Sequence, residues 1–154
     1  MIRDARPDDL DAIVALIRGL ADYEDMTGEV ALDPAELREH LFGAAPVASA
    51  LVATDGSGPD DPVVGYALFF PTYSTFLGRP GIWLEDLFVR SEARGRGHGR
   101  ALIEALRGRT DGRLEWSVLE WNESAIGFYR SLGAGPVDGW ITYRWPPGGS
   151  SRSS

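Results

Sequence analysis

The sequence contains no cysteine and no lysine, and these absences exclude several kinds of functional site. Without cysteine, the 154-residue chain forms no disulfide, no thiolate metal site and no cysteine nucleophile. All 15 basic residues are arginine, so no lysine is present for a Schiff base or for a phosphate-binding loop of the usual nucleotide-binding kind. The two histidines, His40 and His98, are too few and too far apart for a histidine metal site. We therefore expect no metal.

Long apolar runs and net positive charge are also missing. No apolar run approaches the roughly 20 residues that cross a bilayer, and the acidic start of the chain does not resemble a signal peptide. The formal net charge of −8 is opposite to the basic face that nucleic-acid binding needs. We expect a cytoplasmic protein that binds neither membranes nor nucleic acid. The negative charge would attract a cationic substrate at long range. It could equally serve only to keep the protein soluble.

Length and patterning predict one α/β domain. With 44% hydrophobic and 25% charged residues, the chain is long enough to form a single core. Apolar spacing and turn residues predict strands at residues 2–5, 48–54, 63–70, 82–89, 113–119 and 137–145, and helices that begin near Pro7, Pro34, Ala101 and Asn122. This order favours a mixed sheet with helices on both faces. The domain would span residues 1–145, followed by a disordered tail at residues 146–154.

A glycine- and arginine-rich turn, residues 94–100, connects a predicted strand to a predicted helix. Backbone N–H groups at such a helix start can bind an anion, and arginine side chains add charge-assisted contacts that suit phosphate. An ordinary arginine-rich surface loop would have the same composition, so the residues alone leave both interpretations open.

Glu85 and Asp86 are adjacent carboxylates inside an otherwise apolar strand. Because side chains alternate along a strand, we expect these two to point to opposite faces and not to form a dyad. Each needs a reason for its position, since burying a carboxylate is costly unless it is paired. The pattern is compatible with a structural ion pair to an arginine. It is equally compatible with a functional carboxylate in a pocket, which would act as a base or bind an amine.

Asn122 and Tyr129 belong to the last predicted helix. Asn122, the only asparagine in the chain, is expected to cap that helix. Tyr129 falls on the apolar side of the helix, and periodicity alone favours core packing for it.

Several motifs resemble one family. Arg94-x-x-Gly97-x-Gly99 resembles the acyl-CoA pyrophosphate loop of the GNAT superfamily of N-acetyltransferases. The segment from Asn122 to Ala134 resembles the helix of that family with the pattern N…A…FY…LGA. Five further blocks resemble the diamine (spermidine/spermine) and thialysine N-acetyltransferase branch; they are residues 20–24, 72–76, 84–89, 115–122 and 138–140. The resemblance covers about residues 2–145.

The resemblance implies a GNAT-like fold, with a mixed, mostly antiparallel central sheet and helices on both faces. It also implies acetyl-CoA as cosubstrate, a homodimer, and a set of site residues. For the cofactor these are Leu87, Phe88 and Val89 at the pantetheine arm, Arg94, Gly95, Arg96, Gly97, His98, Gly99 and Arg100 at the pyrophosphate, and Asn122, Glu123, Ser124 and Ala125 along the CoA channel. The implied amine-binding residues are Tyr23, Glu24, Tyr73, Ser74, Glu85, Asp86, Glu115, Trp116, Ser117 and Asp138.

The implied reaction is direct attack of a primary amine on the acetyl thioester. Tyr129, beside the thioester sulfur, would act as general acid, and Glu85 would accept the amine proton directly or through a water molecule. Ser74 stands where polyamine enzymes carry an aspartate, which favours thialysine or a short diamine over spermine. Two alternatives remain: a non-catalytic acyl-CoA-binding regulatory module, and an acetyltransferase of protein N-termini or lysine side chains.

Overall fold

The computed structural model describes residues 1–148 and contains one five-stranded sheet, in the order β1-β2-β3-β4-β5. The first three strand pairs are antiparallel and β4 pairs with β5 in parallel. The strands are β1 (Ile2–Asp4), β2 (Ser49–Thr54), β3 (Val63–Ser74), β4 (Arg79–Val89) and β5 (Leu114–Glu115). The α-helices are α1 (Leu10–Tyr23), α2 (Pro34–Phe42), α3 (His98–Arg107) and α4 (Glu123–Ser131). The predicted mixed, mostly antiparallel α/β fold is confirmed.

The chain divides into two compact units. The first, Met1–Ser117, contains the whole sheet and helices α1 to α3. The second begins at Val118 and contains α4. Both units contain helices whose starts the sequence predicts. In the first unit, the Asp33 carboxylate accepts a hydrogen bond from the Ala35 N–H at 2.9 Å and Pro34 occupies the first turn of α2.

Helices α1 and α2 pack on one face of the sheet. Their apolar stripes meet alternate residues of β2 and β3, as the side-chain periods of helix and strand require. The buried side chains of this layer are Ile13, Val14 and Leu16 of α1, Leu37 and Leu41 of α2, Ala50 and Val52 of β2, and Tyr66 of β3.

Helix α3 packs on the opposite face. Leu51 and Ala53 alternate with the β2 residues of the first layer and are also buried. On α3, Leu102, Ile103 and Leu106 are at most 2% exposed. The sheet of the first unit therefore has helices on both faces, as predicted.

Strands β3 and β4 are each longer than predicted at one end. The antiparallel hairpin of β2 and β3 across residues 55–62 is confirmed. Strand β3 continues to Ser74 and β4 already begins at Arg79, so these two strands form a second, longer hairpin. Gly78 closes its turn with a φ of 68°, a left-handed conformation that glycine adopts without strain.

Two strand predictions near the C-terminus fail. The strand predicted at 113–119 contains only Leu114 and Glu115. The strand predicted at 137–145 is wrong: within residues 1–148 no strand follows α4, and Asp138-Gly139 forms a turn in which Gly139 has a φ of 88°. The alternating apolar pattern supplied β propensity, but a strand also needs a neighbouring backbone to pair with. Of the predicted disordered tail, residues 149–154 lie outside the described residues.

A partly buried ion pair ties β1 to the start of α1. The Arg3 guanidinium donates hydrogen bonds to both carboxylate oxygens of Asp9, at 2.7 and 3.0 Å, and the Arg6 backbone N–H donates a third at 2.7 Å. The two side chains are only 12% and 9% exposed. The hydrogen bond from Arg3 holds the pKa of Asp9 below its usual value, against the effect of burial, which raises it.

We expect Asp9→Asn to lower the free energy of unfolding by about 3 kcal/mol at pH 7, because it leaves the Arg3 charge without its partner. Since the native pKa of Asp9 is depressed, its contribution is present above the unfolded pKa near 3.9 and is lost as the pH falls through the native pKa. Urea unfolding of both proteins at pH 7 and below pH 4 should therefore show the difference shrinking in acid.

Asp60→Asn is the matched control. Asp60 pairs with Arg6 at 3.0 Å, but these side chains are 87% and 47% exposed. Its removal should cost less than about 1 kcal/mol. Equal losses for the two variants would contradict a special role for the Arg3–Asp9 pair.

Candidate active site

A β-bulge in β4 shapes the centre of the first unit. Leu68 of β3 pairs with Asp86, but the next residue, Phe69, pairs with Leu84. Glu85 is therefore an extra residue in β4 that has no partner in β3. A bulge of this kind interrupts the strict alternation of side chains on its strand.

The bulge places Glu85 and Asp86 on the same face of the sheet. Asp86 shares the face of its partner Leu68, which packs against the α1–α2 layer. Phe70 lies two residues after Leu68 and so shares its face, and Trp83 pairs with Phe70. Glu85 lies two residues after Trp83 and therefore points to that face as well. The prediction that the two carboxylates point to opposite faces is wrong, because it assumed an uninterrupted strand.

Hydrogen bonds hold both carboxylates. The Tyr66 hydroxyl donates to Asp86 Oδ2 at 2.8 Å. The Trp83 indole N–H donates to Glu85 Oε1 at 2.9 Å. Neither Tyr66 nor Trp83 was among the predicted site residues: an aromatic residue in an apolar strand looks like core, and only the register of β3 on β4 shows what its polar atom reaches.

Glu24, just after the end of α1, completes an acidic cluster with Glu85 and Asp86. Burial raises the pKa of Asp86 most, and the negative charge of Glu85 raises it further, while the hydrogen bond from Tyr66 lowers it. Burial and then the charge of Asp86 raise the pKa of Glu24. None of the ion pairs formed within residues 1–148 includes a member of this cluster. The structural ion pair considered for Glu85 and Asp86 is therefore not formed there.

Arg94 joins three parts of the first unit. Its guanidinium lies 5.0 Å from the ring centroid of Tyr23 and 5.2 Å from that of Phe88, distances typical of cation–π contacts. Its Nε donates to the carbonyl oxygen of Val89 at 2.8 Å. The side chain thus connects the end of α1, the end of β4 and the glycine-rich turn.

The glycine-rich turn presents the start of α3. Gly95 and Gly97 have φ values of 80° and 85°, which favour glycine. Gly97 occupies the N-cap position and has no side chain to accept a hydrogen bond from the first turn. The first helical hydrogen bond is donated by the Ala101 N–H to the Gly97 carbonyl oxygen. The N–H groups of residues 98–100 precede that bond, as at any helix start, and can bind an anion.

The side chains of this turn have local partners. Arg96 pairs with Asp55 at 2.8 Å and Arg100 with Glu104 at 3.3 Å, and all four side chains are more than 40% exposed. Such exposed pairs contribute little to stability, so an incoming anion can displace them at small cost. The His98 Nε2 is buried and has no hydrogen-bond partner in the described part of the chain.

The C-terminal half of β4 has an unpaired edge. Leu87, Phe88 and Val89 pair with β3 on one side, whereas β5 pairs only with Ile82 and Trp83 on the other. Beyond Trp83, no strand of residues 1–148 covers that second edge. An extended ligand could hydrogen-bond there as an added strand.

In the second unit, Asn122 caps α4 as predicted. Its Oδ1 accepts a hydrogen bond from the Ala125 N–H at 3.2 Å, and the residue is 6% exposed. Glu123 and Ser124 lie in the first turn of the helix. Tyr129 is half-buried, and its ring centroid lies 5.4 Å from that of Phe128.

Comparison with known proteins identifies the family. A sequence model described as the acetyltransferase (GNAT) family matches residues 13–134. The chain is a member of the GNAT family. It is 38% identical to the thialysine N-epsilon-acetyltransferase of Bos taurus, with 94% of this chain and 91% of the relative covered.

The similarity extends to a more distant relative and to a solved structure. The L-ornithine N5-acetyltransferase of Arabidopsis thaliana is 30% identical to this GNAT protein, with 90% of this chain and 81% of the relative covered. Among solved structures, an integron cassette protein of V. cholerae has a TM-score of 0.74 at 25% identity, covering 96% of this chain and 93% of that one. The chain is thus an N-acetyltransferase of the branch that includes the thialysine enzymes, as its motifs predicted.

The remaining predicted site residues of this GNAT enzyme lie in three places. Glu115 pairs with Trp83 in the sheet, and Trp116 and Ser117 follow it. Asp138 lies in a turn of the second unit. Tyr73 and Ser74 form the far end of β3, five and six residues beyond Leu68, which is about 17–20 Å along a strand.

The first unit therefore brings Tyr23, Glu24, Glu85 and Asp86 together and leaves Tyr73 and Ser74 apart from them within one chain.

None of the helices within residues 1–148 has the length and apolar character that a membrane span requires. The same residues contain no group of three or more metal-ligating side chains placed to hold an ion.

Proposed function

We propose that this GNAT enzyme transfers the acetyl group of acetyl-CoA to a primary amine of a small cationic substrate such as thialysine, a diamine or a polyamine. The observation that carries the proposal is the acidic cluster, Glu24, Glu85 and Asp86, which has no arginine partner within residues 1–148. Two of its members, Glu85 and Asp86, directly precede the unpaired edge of β4. The relatives named for thialysine and ornithine acetylation support an amine substrate.

The acidic cluster suits the charge of an amine substrate. A primary amine has a pKa near 10.4, so it arrives at neutral pH as an ammonium ion and must lose a proton before it can attack. Carboxylates attract the ammonium, and the repulsion among them weakens when a cation binds. In this proposal Glu85, the most exposed of the three, accepts the proton directly or through water.

The cofactor-binding features of the chain fit acetyl-CoA. The amides of Leu87, Phe88 and Val89 would pair with the pantetheine arm, and the turn and helix start at residues 94–100 would hold the pyrophosphate. Residues 122–125 would line the rest of the channel. When bound, acetyl-CoA supplies a thioester whose acetyl carbon bonds to the amine nitrogen as the carbon–sulfur bond breaks. Tyr129, as general acid, would give the departing thiolate its proton.

The two alternatives differ in what they require of these residues. An acyl-CoA-binding regulatory module needs the turn and the β4 edge but has no use for an acidic cluster. An acetyltransferase of protein N-termini or lysine side chains would need an extended surface for the peptide, and a compact cluster of three carboxylates suits a small cation better.

Release of free CoA thiol from acetyl-CoA with a panel of amines tests the proposed function. We expect turnover with thialysine and short diamines at a higher kcat/KM than with spermine, because the Ser74 hydroxyl cannot replace a carboxylate in binding a distant ammonium. No thiol release with any small amine would exclude the proposal, and turnover with peptides alone would favour the protein acetyltransferase.

Tyr129→Phe tests the general acid. The substitution keeps the ring and removes the hydroxyl, so kcat should fall by about 10²- to 10⁴-fold while CoA affinity stays unchanged. Unchanged kcat, with chemistry shown to limit the rate, would assign Tyr129 to packing alone.

Gly97→Asp and Gly97→Ala together test the pyrophosphate site. No atom would crowd a side chain at Gly97, but its φ of 85° strains any residue other than glycine. Both variants carry this strain, and aspartate tolerates it better than alanine. Calorimetry should show that Gly97→Asp weakens CoA binding at least about tenfold more than Gly97→Ala, through charge repulsion that declines at high salt. Equal affinities would contradict a phosphate at this position.

A homodimer is part of the proposal. Residues 137–145 carry large side chains that are 62–92% exposed: Val137, Trp140, Ile141, Tyr143 and Trp145. An exposed apolar stretch of this size is typical of an interaction surface, and a second copy could supply the backbone partner that the predicted strand lacks.

Light scattering at micromolar concentration should give twice the 16.8 kDa chain mass. Ile141→Arg should shift the protein toward the monomer, while Val47→Arg, at a residue 65% exposed outside the segment, should not. A monomeric wild-type protein would refute the dimer.

A further inference from the structure

We infer that Tyr66 is a positioning residue for the amine: its hydroxyl orients the Asp86 carboxylate toward the substrate ammonium. The inference deepens the proposed function and rests on it, since it assigns the ammonium contact within the acidic cluster. It also separates the roles of the two adjacent carboxylates, leaving proton acceptance to Glu85.

Tyr66 is held rigidly. The residue is 0% exposed and packs in the layer between the sheet and helices α1 and α2. It pairs with Phe88 across the β3–β4 ladder, and Asp86 lies two residues before Phe88, in the diagonal position that a long side chain can reach. A phenol with a fixed ring directs its hydroxyl to one place, and Asp86 Oδ2 is found there at 2.8 Å.

Within residues 1–148, Asp86 has fewer partners than a structural carboxylate. Asp9, the carboxylate that supports the fold, receives two hydrogen bonds from an arginine and one from a backbone N–H. Asp86 receives one, from a neutral phenol, within the described residues. An ionised carboxylate can accept about four hydrogen bonds. A further donor, and the positive charge that a partly buried anion needs, would come from the substrate.

The charged groups that face Asp86 are themselves acidic. Glu85 approaches from β4 and Glu24 from the end of α1, and Tyr66 is the donor from β3. Burial and Glu85 raise the pKa of Asp86, and the Tyr66 hydrogen bond lowers it. Without the hydroxyl, the pKa of Asp86 should rise further, so that less of it is ionised at a given pH.

Tyr66→Phe tests the inference through the pH dependence of amine recognition. Near neutral pH we expect the KM for the preferred amine to rise about tenfold, as for a lost hydrogen bond to a charged group, with little change in kcat or in CoA affinity. In the variant, Asp86 becomes ionised only at a higher pH than in the wild type. The ratio of wild-type to variant kcat/KM should therefore fall as the pH is raised, since Asp86 is then ionised in both proteins. The dissociation constant of the amine, measured by calorimetry in the presence of CoA, should follow the same trend.

Thr54→Val is the matched control. The Thr54 side chain is 0% exposed, and its hydroxyl donates to the Gly58 carbonyl oxygen at 3.0 Å, away from the acidic cluster. This variant should lose stability without a pH-dependent change in amine KM. If Tyr66→Phe merely weakened the fold, the two variants would behave alike, and the inference would be overturned.

A double-mutant cycle with Asp86→Asn gives a second criterion. Once Asp86 is uncharged, adding Tyr66→Phe should have almost no further effect on amine KM. Additive effects of the two substitutions on amine KM would overturn the inference. A ratio of wild-type to Tyr66→Phe kcat/KM that does not change with pH would also overturn it. If the wild-type protein acetylates no amine, the proposed function itself fails, which is a different result from an active enzyme that is insensitive to Tyr66→Phe.

Discussion

The β-bulge at Glu85 is the constraint on which the candidate site depends, because it changes which side chains of β4 share a face. In a regular strand, one of the two adjacent carboxylates would point toward α3 and the other toward α1. The bulge residue brings both to the α1 side, where they accept hydrogen bonds from Tyr66 and Trp83 and where Asp86 interacts electrostatically with Glu24. The cluster then collects negative charge at one point on the sheet, directly before the unpaired edge of the same strand.

This concentration of charge is unfavourable to the folded chain unless a cation binds. Burial raises the pKa values of Asp86 and Glu24. The charge of Glu85 raises the pKa of Asp86 further, and the charge of Asp86 raises that of Glu24. The chain has 15 arginines, yet those with partners in the described residues connect other parts of the fold, such as Arg3 with Asp9 and Arg96 with Asp55. A cluster that has no counter-charge in the described part of the chain, despite many arginines, is consistent with a site whose positive charge arrives with the substrate.

Arg94 has contacts within the fold besides the phosphate contact that the resemblance implies. The resemblance to an acyl-CoA loop implies a phosphate contact for it. In the structure its guanidinium stacks on Tyr23 and Phe88 and its Nε bonds to Val89. It thereby connects the turn proposed for the pyrophosphate with the end of α1, where the amine would bind. The phosphate contacts proposed for this turn would come from backbone N–H groups at the start of α3 and from the arginine side chains of the turn.

Local signals in the sequence by themselves determined the helix starts at Asp33-Pro34 and Asn122, the glycine-rich turn before α3, the first hairpin and the family. The structural features depend on residues within a few positions of one another, where capping, turn chemistry and side-chain period act, and the family was evident from several short motifs along the chain. Only the tertiary structure decided that Glu85 and Asp86 share a face, that Tyr66 reaches Asp86, and that residues 137–145 form no strand in the described chain. The physical reason is that strand register and pairing depend on two segments far apart in the sequence, so that one inserted residue or one absent neighbour changes the outcome without changing the local pattern.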